Sequence, residues 1–200
     1  MLESNPALRD LAKDLLANLV DLLRHAPVAQ ANSDTLRGLQ DRRAKGQRVD
    51  GRRFQELRRA VCSYNHQLML FCFRHRRSLN RAKLTKWLMA QTPDNQSWAP
   101  CVIAGMAAEV AASQLLTQVV TDLRHGTVED DLKGVDFTFR LPSGGRGDID
   151  VKTGNSCPAE MTAWNGDTFV FGIRREDITG FFVKEDAVPA YLATLRTYFQ

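Results

Sequence analysis

Two short stretches in the C-terminal half alternate apolar and polar residues, and this constrains the fold more than any other feature. Val135, Phe137, Phe139 and Leu141 alternate with Asp136, Thr138 and Arg140, and Ile149 and Val151 alternate with Asp148, Asp150 and Lys152. Successive side chains of a strand point to opposite faces, so each stretch reads as a β-strand with one buried and one polar face. Pro142-Ser143-Gly144-Gly145 between them has the composition of a tight turn. The two strands therefore pair as an antiparallel hairpin, and Asp136, Asp148, Asp150 and Lys152 share its polar face. A turn centred near Gly144 sets Asp136 across from Lys152, with Asp150 diagonal to it at roughly 7–8 Å.

Helical patterns precede the hairpin. Leu8, Leu11, Leu15, Leu16, Leu19, Leu22 and Leu23 form a helical stripe over residues 6–25, capped by Ser4 or Asn5 and ended by Ala26-Pro27. Residues 28–50 are polar and read as part helix, part mobile loop. Helices are predicted over 53–77, with Phe54, Leu57, Val61, Leu68 and Phe71 inside, and over 80–91 around Leu84, Trp87 and Leu88. Residues 91–95 form a loop and a domain boundary. Residues 101–123 form a helix rich in alanine and glycine, stopped by Gly126. After the hairpin, strands are predicted over 168–174 and 178–184 and a closing helix over 187–199. The fold class is α+β: a helical N-terminal region, residues 1–95, followed by a core over 96–200 with a small mixed sheet flanked by helices.

Charge is unevenly spread. Residues 1–36 carry a net −2, residues 37–86 a net +12 from 15 Lys/Arg against 3 Asp/Glu, and residues 87–200 a net −6. A concentrated positive segment beside an acidic one suits a polyanion held next to a metal site. Arg42, Arg43, Arg52, Arg53, Arg74, Arg76 and Arg77 are the candidate nucleic-acid-binding residues. No uninterrupted apolar run long enough to span a bilayer is evident, and the N-terminus lacks the pattern of a secretory signal, so a cytoplasmic location is expected. The cysteines, at 62, 72, 101 and 157, are then expected to be reduced. Cys62 with His66 and Cys72 with His75 point to different sides of one helix and do not close a zinc site, which leaves buried thiols and surface histidines.

Carboxylates gathered on one strand face repel one another unless a cation or proton intervenes. Mg²⁺, which takes a few carboxylate oxygens together with water and phosphate, resolves that conflict. Asp136 and Asp150 are the candidate ligands, and Lys152 places a positive charge beside the reacting phosphate. Asp148 is either a further ligand or a turn residue. Thr153 and Asn155, just past the lysine, are either phosphate contacts or ordinary polar loop residues.

Gly134-Val135-Asp136, the hairpin, and Asp150-Val151-Lys152 together resemble the PD-(D/E)XK nuclease superfamily, the restriction-endonuclease-like fold. The order of elements from 101 to 199 is similar to that family's plan, whereas residues 1–95 lie outside it. The proline that names the motif is replaced by Val135. The resemblance implies an acidic residue on the first core helix, which Glu109 matches, and catalytic roles for Asp136, Asp150, Lys152 and Glu109. It implies Mg²⁺ bound by Asp136, Asp150 and Glu109, with Mn²⁺ able to substitute. Asp131-Leu132-Lys133 is a second Asp-x-Lys but has no aspartate on a paired strand upstream. The expected function is a Mg²⁺-dependent DNA endonuclease, restriction-type or from a phage or mobile element, acting on double-stranded DNA as a homodimer. The alternatives are a structure-selective nuclease of the junction-resolvase kind, a catalytically inactive nucleic-acid-binding protein of the same fold, and a module gripping an acidic partner protein.

Overall fold

The structure is a computed structural model that describes residues 6–141, 144–154 and 162–199, with side chains from Lys13 onward. The Ser4/Asn5 cap, the Leu8 and Leu11 side chains, Pro142, Ser143, Asn155 and Cys157 lie outside the described residues.

Helix α1 (Pro6–Ala44) and helix α2 (Gly51–His75) form a long hairpin. The break expected at Ala26-Pro27 does not occur: α1 runs through Pro27. Proline costs a helix one hydrogen bond and a steric clash. Here burial outweighs that cost, because Ala26 just before the proline and Ala29 and Leu36 beyond it are all buried. The segment expected to be partly loop is thus helical to Ala44. Asp50 starts α2 by accepting from the amides of Arg52 and Arg53. Helix α3 (Arg81–Gln91) follows, with the Asn80 side chain accepting from the Lys83 amide.

Helix α4 (Trp98–Leu116) is the centre of the molecule. Ala99, Ala107, Val110, Ala111, Ala112 and Leu116 are fully buried, and the helix contacts α2, α3 and the strands. By length and composition it is apolar enough to cross a membrane, contrary to the sequence expectation, yet most of it is buried inside the protein. Its small side chains let neighbouring elements approach closely. The helix ends seven residues before the expected 123. The β-branched run Val119-Val120-Thr121 disfavours helix, and the chain turns into strand β1 (Thr121–His125), which the sequence pattern does not predict.

A single turn of helix, α5 (Val128–Asp131), is closed by a capping box between Thr127 and Asp130. Strands β2 (Phe137–Arg140) and β3 (Arg146–Gly154) form the expected antiparallel hairpin. Strand β4 (Ala163–Asn165) turns back into β5 (Thr168–Arg174), and β5 lies parallel to β3. The sheet order is β1-β2-β3-β5-β4, a mixed sheet in an otherwise helical α+β protein. The strand expected over 178–184 is instead a separate small hairpin, β6 (Ile178–Thr179) and β7 (Phe182–Val183), turning at Gly180 with φ 61°.

Helix α6 (Val188–Phe199) covers the apolar face of the sheet. Phe199 packs edge-to-face with Phe139 and Phe169, and Tyr191 with Phe171. The Tyr191 hydroxyl and Arg174 both donate to Asp177, which pins α6 to the end of β5. One buried core runs without interruption from Leu19 of α1 to Leu195 of α6, so the N-terminal helices and the sheet pack as a unit.

Candidate active site

The hairpin register decides which side chains meet. Phe137 faces Ile149, which moves the partner of Asp136 back by two residues from the expected Lys152 to Asp150. The facing survives because the shift is even. The Asp136 amide donates to the Ile149 carbonyl at 2.8 Å, and its carboxylate accepts from the Val151 amide at 2.6 Å. Asp136 therefore bridges both neighbours of Asp150, and its own side chain continues the ladder where β2 runs out.

Lys152 reaches back along β3 to Asp150, with Nζ 2.7 Å from Oδ1. Its side chain is 59% exposed against 17% for the aspartate, so the ammonium stands at the surface and the carboxylate inside. Glu109, at mid-helix on α4, and Asp136 line one cavity of about 70 Å³. That volume admits a few waters or a hydrated cation but not a nucleotide.

The carboxylates are in electrostatic conflict. Burial, followed by Asp136, Asp131 and Asp150, holds the Glu109 carboxyl well above its usual range. Burial is also the main force raising Asp136 to about 7, with Asp150 and Asp131 adding to it, while the Val151 hydrogen bond and Lys152 oppose it. Crowded acids in a poorly solvated cavity favour a proton or a cation.

Glu109 and Asp136 thus share a cavity although they come from two regions of sequence, and the charges of Asp150 and Lys152 act on both from β3. Asp148 does not join them: Arg146 Nε donates to it at 2.8 Å, and Arg146 Nη2 also holds Asp130 at 2.6 Å. Thr153 is a strand residue of β3, not part of a loop.

The arginines of the helical half divide into two groups. Arg42, Arg43, Arg52 and Arg53 cluster where α1 turns into α2, and Arg74, Arg76 and Arg77 lie at the other end of α2. About 30 Å of helix separates the groups, so they do not make one patch. Arg52 pairs with Glu56, Arg43 lies over the Phe54 ring, Arg74 is 3.9 Å from Asp14, and Arg76 stacks on Phe73.

The chain matches no family model, no curated protein and no solved structure with which it was compared.

Sequence reasoning missed one wall of the cavity. Asn65, His66 and Met69 of α2 and Asp131 of α5 line it with Glu109 and Asp136. Asp131 belongs to the Asp-x-Lys that was set aside, correctly as a strand motif, since it ends a helical turn. Burial raises its carboxyl, against hydrogen bonding from Cys62 and the charge of His66. Cys62 is pushed up to about 12, by burial and by Asp131, so it is a poor thiolate ligand. The expectation of surface histidines fails for His75, which is 4% exposed and packed on Phe71. Cys72 is buried as expected, Cys62 is half-buried and Cys101 is exposed.

The donor chemistry fits a hard cation. The available atoms are carboxylate oxygens, and burial has already stripped them of water. Among the described residues no three His, Cys, Asp or Glu side chains converge closely enough to enclose a metal. An ion held here by one or two carboxylates would retain open positions for water and phosphate, the habit of Mg²⁺ and not of structural zinc.

Proposed function

We propose that the protein is a Mg²⁺-dependent nuclease that hydrolyses phosphodiester bonds in DNA. The observation that carries this reading is the electrostatic conflict among Glu109, Asp136 and Asp150, the first two lining one cavity and the third paired with Lys152. Such an arrangement costs stability and contributes no packing that apolar residues would not supply better. A cation and a phosphate give it a use. The resemblance to the PD-(D/E)XK superfamily supports the same reading, since α4, the β2–β3 hairpin, β5 and α6 follow the order expected of that plan.

Asp136, with Asp150 or Glu109 beside it, would hold Mg²⁺. When bound, the ion supplies Lewis-acid polarisation of the phosphoryl oxygens and neutralises charge that develops on them. Asp136 is held in one orientation by the Val151 amide, so its free lone pairs are aimed before any ligand arrives. Lys152 would bring a positive charge to the entering phosphate, and its pairing with Asp150 holds the ammonium beside that carboxylate. The arginine groups at the two ends of α2 stand on either side of the α2 segment that walls the cavity, where backbone phosphates of a bound duplex would pass. Metal-dependent cutting of DNA by the wild type, lost on Asp150→Ala, tests the reading.

A further inference from the structure

The sheet face that carries Asp150 also carries a basic groove that the helical arginines do not account for. Arg124 faces Thr138 and Thr138 faces Asp148, while Arg140 faces Arg146. Residues paired across a ladder share a face, and residues two apart on a strand share it too. Arg124, Thr138, Arg140 and Arg146 therefore lie on the face of Asp150, and they converge on an open groove of about 320 Å³ whose lip is Gly144 and Gly145. All three arginines are exposed.

Their existing partners leave charge to spare. Arg146 is committed to Asp130 and Asp148. Arg140 lies 3.7 Å from Asp122, the carboxylate that lines the groove, and both side chains are more than half exposed. Among the described residues no carboxylate pairs with Arg124.

Resting on the nuclease reading, we propose that this groove is a phosphate-backbone subsite that feeds the nucleic-acid strand to Asp136, Asp150 and Lys152. Two rows of residues along β3 separate Arg146 from Asp150, about 13 Å, and Arg124 stands two strands over from β3, about 10 Å. No single phosphate spans that distance. A polymer with a phosphate at every unit occupies the groove and the catalytic carboxylates at once. The groove is open and shallow, which suits a strand passing over it. Its donors are planar guanidiniums, which match phosphate oxygens in pairs.

The test is binding of a fluorescein-labelled 20-base-pair duplex to the full chain in EDTA, read by anisotropy between 50 and 200 mM salt. The paired substitution Arg124→Ala and Arg140→Ala is expected to weaken binding about tenfold or more and to flatten the salt slope by about two. The paired control Arg175→Ala and Arg196→Ala, away from this groove, is expected to leave both unchanged, and circular dichroism confirms that each variant is folded. Unchanged affinity and slope in the groove variant would overturn the proposal. So would displacement of the duplex by poly-glutamate at equal charge, since the groove would then recognise negative charge and not phosphate. Because binding is read without metal, cutting by a protein whose binding ignores the groove sinks this proposal alone. Groove-dependent binding by a protein that cuts nothing upholds the groove and sinks the nuclease reading.

Discussion

The amide of Val151 donates to the carboxylate of Asp136 at 2.6 Å, so the residue between Asp150 and Lys152 orients the acid on the opposite strand. The hairpin's own backbone is part of the site. Any change that loosens the β2–β3 pairing therefore disturbs the carboxylates before it unfolds the protein.

Replacing Asp136 with asparagine keeps an oxygen that accepts from Val151 but removes a charge from a crowded cavity. The metal-free variant is expected to be more stable than wild type, by on the order of 1–2 kcal/mol. Mg²⁺ is expected to raise the melting temperature of wild type and not of the variant. Thermal melts with and without the ion check both statements. A variant less stable than wild type in EDTA would contradict the account of electrostatic conflict.

Gly147 permits the hairpin to close on an aromatic ring. A β-carbon built there would overlap the Phe139 ring, which is itself buried against Phe199. Gly147→Val is expected to destabilise the fold by about 1–3 kcal/mol, measured by urea unfolding. Wild-type stability in the variant would show that the Phe139 ring is not fixed where the structure puts it.

Protonation of His125 should weaken the protein in acid, against the gain that the raised Asp136 and Glu109 carboxyls make as pH falls over the same range. Its ring is sandwiched between Phe73 and Phe137, each 4.6 Å away, and neither ring nitrogen has a partner. Burial is the main cause of its depression from 6.5 to about 4, with His66 adding to it. The unfolded chain therefore binds a proton that the folded chain refuses between pH 6.5 and 4. Stability is full above 6.5 and falls as pH drops through that window, by up to about 3 kcal/mol from this group. Burial lowers His75 in the same direction. His125→Phe is expected to hold a higher unfolding midpoint at pH 5, relative to pH 7, than wild type does. The same change with pH in variant and wild type would assign the effect elsewhere.

The alternation of residues 135–141 and 149–152 made the hairpin and the shared face of its acids legible, because the period of two is a local property of the chain. The register was not legible. It is set by the geometry of the turn, and a two-residue error leaves every side chain on its correct face while exchanging Lys152 for Asp150. Strand β1 was hidden because only Leu123 and His125 of TDLRH turn inward, and a histidine does not read as an apolar position. The passage of α1 through Pro27 depends on what Ala29 and Leu36 bury against, which no window of sequence contains. His66 and Asp131 entered the cavity by tertiary packing. Each had drawn notice for a local pairing, with Cys62 and Lys133 respectively, and neither pairing is what placed it there.

The most direct test is cleavage of plasmid and linear DNA with Mg²⁺, Mn²⁺ or EDTA, comparing wild type with Asp150→Ala and Lys152→Ala. Lys152 is largely exposed while its partner Asp150 is not, so circular dichroism must show Lys152→Ala folded before its activity is read as chemistry. The account predicts metal-dependent cutting by wild type and a loss of about 100-fold or more in both variants. A well-folded wild type that cuts no DNA with either metal, or cutting that survives both substitutions, would contradict it.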